Sequence, residues 1–132
     1  MKITDLKPTI VWKFFHQVTQ VPRPSKKEGK MIEFLESFAK EYKIAIKKDE
    51  AGNLLMSKPA TPGMEDRPVV VLQSHMDMVC EKNNGTKHDF DNDPIETIVD
   101  GEWLRANGTT LGADNGIGVA AELALLASDD IQ

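Results

Sequence analysis

Residues Val69 to Asp77 read V-V-V-L-Q-S-H-M-D, an apolar, β-branched run closed by a histidine and an aspartate two positions apart. An unbroken apolar run of this length predicts a strand buried on both faces, as in a mixed or parallel sheet flanked by helices. Side chains at i and i+2 of a strand share a face, so His75 and Asp77 stand side by side at its carboxyl end. Open α/β sheets place their ligand sites at that end. An imidazole that ligates a metal needs its other ring nitrogen held by an acceptor, and a neighbouring carboxylate does this. The tripeptide H-x-D alone is a weak signal. Its position at the end of the run is what singles it out.

The rest of the chain supplies helices and hairpins around that run. Pro8 suits a first helical turn, and Ile10, Val11, Phe14, Phe15 and Val18 follow at helical spacing, with His16 off the stripe and expected to face solvent. Pro22 and Pro24 end this helix. Ser25-Lys26-Lys27-Glu28 has the form of a capping box, opening a second helix with Met31, Ile32, Leu35, Phe38, Ala39 and Tyr42 as core residues. Residues 44–48 and 53–58 predict two strands around a turn at 49–52, and 95–99 with 102–105 a hairpin around Asp100-Gly101. Asn83-Asn84-Gly85 is a turn signal. The last helix begins near Asp114-Asn115, is apolar almost all round, and carries alanines at 120, 121, 124 and 127 for close approach to the sheet. The fold class is α/β, with a mixed sheet flanked by helices.

Length and charge exclude several function classes. A chain of 132 residues with 40% hydrophobic and 28% charged residues is about one globular domain. A net charge of −5 without a Lys/Arg cluster argues against a nucleic-acid partner. No apolar run reaches the roughly 18 residues a membrane span needs, and the N-terminus has no signal-peptide core. Cys80 is the single cysteine, expected as a packing residue in a reducing, cytoplasmic setting. The acidic stretch from Asp89 to Glu102 reads as a solvated loop, with ion binding as the alternative.

The second unusual segment is T-T-L-G-A-D-N-G-I-G, residues 109–118. Its glycine spacing does not match G-x-G-x-x-G, and no lysine completes a phosphate loop, so a nucleotide site is not expected. Asp114 falls where a helix N-cap would fall, and its carboxylate at the dipole's positive end could also ligate a metal beside His75. The two roles are compatible.

Three segments, S-H-M-D-M-V-C-E-K-N, H-D-F-D-N-D-P-I and G-E-W-L-R-A-N-G-T-T-L-G-A-D-N-G-I-G, resemble the aminoacyl-histidine dipeptidases, also called β-alanyl-histidine or cytosol nonspecific dipeptidases. This family lies within a di-zinc peptidase group that includes carboxypeptidase G and aminoacylase. His75-x-Asp77 with Asp114 is common to the group, while the second and third segments are more specific to the dipeptidases. The resemblance implies that residues 1–132 form the N-terminal part of a zinc-exopeptidase-like catalytic domain, with the remainder and a lid or dimerisation domain outside the chain. It implies His75 as a ligand of one zinc, Asp77 as its orienting carboxylate in a catalytic role, and Asp114 as the carboxylate bridging two zincs, followed by a cis peptide bond. Cobalt or manganese are alternative metals. It implies hydrolysis of Xaa-His dipeptides by metal-activated water in a homodimeric enzyme, the general base and remaining ligands lying beyond Gln132. The 132-residue chain alone is then expected to be inactive and to bind metal weakly at most. Alternatives are a related tripeptidase or N-acyl-amino-acid hydrolase, or a non-catalytic domain on the same scaffold.

Overall fold

The computed structural model describes residues 1–131. After a 3-10 turn at Ile3–Asp5 come α1 (Thr9–Thr19), α2 (Gly29–Glu41), β1 (Ala45–Lys48), β2 (Leu54–Ser57), β3 (Thr97–Asp100), β4 (Trp103–Ala106) and α3 (Ala113–Ala127). The strands form two separate antiparallel hairpins. In one, Ala45 lies opposite Ser57 and Lys48 opposite Leu54; in the other, Thr97 lies opposite Ala106 and Asp100 opposite Trp103. Local chemistry accounts for both turns. Asp49 accepts hydrogen bonds from the amides of Ala51 and Asn53 and from the Asn53 side chain, and Gly52 and Gly101 supply positive φ.

The core lies between the helices. Phe14, Phe15 and Val18 of α1 pack with Met31, Leu35 and Phe38 of α2 and with Val119, Ala120, Leu123 and Ala124 of α3. Phe14 meets Phe38 and Tyr42 edge-on, and Phe38 stacks on Tyr42, adding directed aromatic contacts to the burial. The principal partner of α3 is α1, so its small residues let it approach a helix and not a sheet. It is buried on one face only: Ile117 and Leu125 are exposed.

The structure overturns two expectations about elements. Residues 69–76, expected as a buried central strand, form no ladder, and Val69, Val70 and Val71 are 89%, 80% and 78% exposed. A strand needs partners for its amides and carbonyls, and among the described residues none pairs with this run. The capping box also fails. The second helix starts at Gly29, behind Glu28, because the Ser25 hydroxyl is engaged by Asp77 and Glu28 accepts the Lys26 amide instead. His16 is half-buried and not solvent-facing, with Nδ1 enclosed and unpartnered. The acidic loop is solvated as expected, tied down by Lys27 to Asp91 at 2.7 Å.

Candidate metal centre

Two segments that are 39 residues apart in sequence meet at His75. Its Nδ1 lies 3.0 Å from Asp77 Oδ1 and its Nε2 lies 3.0 Å from Asp114 Oδ1. Pairing between the two ends of the intervening chain brings them together. The Asn83 amide donates to the Gly108 carbonyl, the Thr110 amide to the Glu81 carbonyl and the Thr110 hydroxyl to the Val79 carbonyl. The chain leaving Asp77 is thereby laid against the chain entering Asp114.

The loop between α1 and α2 forms the support beneath. Met78 pairs with Pro24 in a parallel bridge through its amide and the Arg23 carbonyl, at 3.0 Å. Ser25 Oγ donates to Asp77 Oδ2, so one carboxylate oxygen is held by serine and the other faces the imidazole. These contacts set the charges. The Ser25 hydrogen bond, with help from His75, holds the Asp77 carboxyl below the usual carboxylate range. Hydrogen bonding to Asp114, and secondarily to Asp77, raises the His75 imidazole above its ordinary value. Burial pushes the Cys80 thiol up, in keeping with a packing residue and not a reactive one.

Asp114 is freed for the site by its neighbour. Asn115 Oδ1 accepts the Gly118 amide at 3.1 Å, the contact an N-cap side chain makes, so Asn115 and not Asp114 caps the regular part of α3. Asp114 keeps non-helical backbone angles, is followed by a cis peptide bond, and has a side chain 95% exposed beside His75. Gly112, at φ +71°, precedes this turn and leaves room where a Cβ would fall 2.5 Å from the Arg23 guanidinium.

The donor set suits zinc. A neutral imidazole nitrogen and a carboxylate oxygen are ordinary zinc ligands, and a second carboxylate on Nδ1 fixes the tautomer that turns the Nε2 lone pair outward. Only His75 Nε2 and the Asp114 carboxylate face a common point, since Asp77 sits behind the ring. Accordingly no cluster of three or more His, Cys, Asp or Glu side chains fit to hold a metal occurs among the described residues. Sequence reasoning reached these three residues but missed Ser25 and Arg23, whose roles depend on contacts more than 50 residues away along the chain.

No protein-family model matches the chain. Over 130 residues it is 48% identical to the cytosol non-specific dipeptidase of Escherichia coli K12, covering 98% of this chain and 27% of that protein. The crystal structure of aminoacylhistidine dipeptidase from Vibrio alginolyticus superposes with a TM-score of 0.97 at 48% identity, over the whole of this chain and 27% of that one. The chain resembles dipeptidases of this kind. It spans about a quarter of their length. A tripeptidase from Staphylococcus aureus, 24% identical with a TM-score of 0.71 over 89% of this chain and 31% of its own, shares the fold. No helix among the described residues is long and apolar enough to cross a membrane.

Proposed function

We propose that the chain is the N-terminal part of a metallopeptidase catalytic domain and carries part of its zinc centre. The arrangement Asp77–His75–Asp114 carries this reading: an imidazole fixed by one carboxylate and aimed at a second. In this role His75 and Asp114 would hold zinc, and Asp77 would orient His75. Bound zinc supplies Lewis acidity, acidifying water and polarising an amide carbonyl. The chain's own residues do the positioning. Ser25 holds the Asp77 carboxylate ionised, and Asp77 holds the Nδ1 proton of His75 so that Nε2 stays available.

The substrates proposed for the longer protein are dipeptides, Xaa-His among them. The dipeptidase names of the Escherichia coli and Vibrio alginolyticus relatives support this class. A cytoplasmic setting is supported by the word cytosol in the first of those names. A homodimer is proposed on the resemblance alone. The general base and the other ligands are assigned to polypeptide outside this chain. Glu122, the acidic residue in the middle of α3, is engaged by the Ser74 hydroxyl at 2.7 Å. The test is calorimetry with Zn²⁺ and an assay on a Xaa-His dipeptide, using wild type and His75→Ala. The 132-residue chain is expected to bind Zn²⁺ weakly through His75 and to show no turnover. Turnover by the pure chain, or equal Zn²⁺ binding by His75→Ala, would sink the reading.

A further inference from the structure

Arg23 is the most buried large polar side chain among the described residues, 1% exposed, and the chemistry proposed above gives it no part. Its guanidinium spans the two site segments. Nη1 donates to the carbonyls of Met76 and Asp77 at 3.1 and 3.2 Å, and Nη2 donates to the Gly112 carbonyl at 2.7 Å. The first two acceptors flank the Asp77 peptide, and the third lies two residues before Asp114. The Arg23 carbonyl meanwhile takes the Met78 amide. One residue thus grips the His75 segment from both main chain and side chain, and ties it to the approach to Asp114.

The surroundings are shaped to this side chain. A Cβ at Gly112 would fall 2.5 Å from Nη2, and one at Gly116 would fall 2.7 Å from it. Both glycines flank Asp114, so the turn that presents the carboxylate is hollowed out for the guanidinium. Prolines on either side, Pro22 and Pro24, restrict the backbone around Arg23 and fix its direction of entry. A buried cation is costly unless hydrogen-bonded, and a planar fork with five donors is the side chain able to bond carbonyls on two segments at once. A site that needed only bulk here would be filled at lower cost by leucine or methionine.

We propose that Arg23 is a positioning residue that sets the separation of His75 from Asp114, and so the geometry offered to a divalent metal ion. The zinc part of this statement rests on the reading in the preceding section; the positioning part does not. Because Arg23 touches carbonyls and not the ligating atoms, it acts through the two segments it ties.

Arg23→Gln and Arg23→Lys in the purified protein test this, with Phe38→Leu in the distant core as a control for general loss of stability. Solved structures of the variants read the His75 Nε2–Asp114 Oδ1 separation, calorimetry with Zn²⁺ alone reads affinity, and thermal melting reads stability. In both Arg23 variants the pair is expected to leave hydrogen-bonding distance and Zn²⁺ affinity to fall by about tenfold or more, as for other residues that orient metal ligands. Lysine does not rescue, since a single ammonium cannot fork between the segments. It keeps the charge and the buried stem, and it carries the test should the glutamine variant not fold. Phe38→Leu is expected to lower the melting temperature with the pair and the affinity unchanged. An unchanged 3.0 Å pair in a folded Arg23→Lys protein overturns the proposal, as does an equal loss of Zn²⁺ affinity in Phe38→Leu. Wild-type protein that keeps the pair but binds no Zn²⁺ defeats the metal reading, and the separation alone then decides on Arg23.

Discussion

His75 is useful to a metal only if its ring cannot turn, and three neighbours see to that: Asp77 behind it, Ser25 behind Asp77, and Asp114 in front. Asp77→Asn keeps the shape but offers an amide where the ring needs a charged acceptor. Its Zn²⁺ affinity is expected to fall by about ten- to a hundredfold by calorimetry, against near-complete loss in Asp114→Ala. Gly112 is constrained twice, by φ +71° and by the guanidinium beside it. Gly112→Ala is therefore expected to destabilise by about 1–2 kcal/mol from the left-handed backbone alone, with steric overlap adding to it, read by denaturant unfolding. A comparable alanine at Gly63, where no heavy atom lies within 4 Å of the added Cβ, separates the two contributions.

Among the elements, the β1–β2 hairpin depends on one carboxylate. Hydrogen bonds from Asn53, side chain first and then backbone, hold the Asp49 carboxyl below the usual carboxylate range. A lowered folded value means that the folded hairpin favours the ionised form. The stabilisation is thus complete above the ordinary aspartate range and is lost as the pH falls through the lowered folded value. An NMR titration is expected to show the Ala51 and Asn53 amides shifting with the Asp49 carboxyl in that acid window, and Asp49→Ala is expected to abolish the transition. Aromatic and aliphatic burial between α1, α2 and α3 holds the helices.

At the scale of the whole molecule, the apolar run at Val69–Leu72 is exposed and, among the described residues, has no ladder on either side of it. Exposed, unpaired and β-branched, such a segment is a template for pairing with another chain. The protein is expected to self-associate as its concentration rises, and Val70→Lys is expected to shift sedimentation toward monomer without changing the melting temperature of the helical core. The sequence alone determined what its local chemistry could determine. Apolar spacing placed α1 and the core face of α2, turn residues placed both hairpins within a residue or two, and the i, i+2 relation put His75 beside Asp77. The tertiary structure decided what depends on partners far along the chain: that 69–76 forms no ladder, that Ser25 serves Asp77 and not a helix, that Asn115 takes over the cap and releases Asp114, and that Arg23 ties the two halves together. Periodicity reports how a residue relates to its near neighbours. A hydrogen bond that closes a loop of 50 to 90 residues leaves no such local trace.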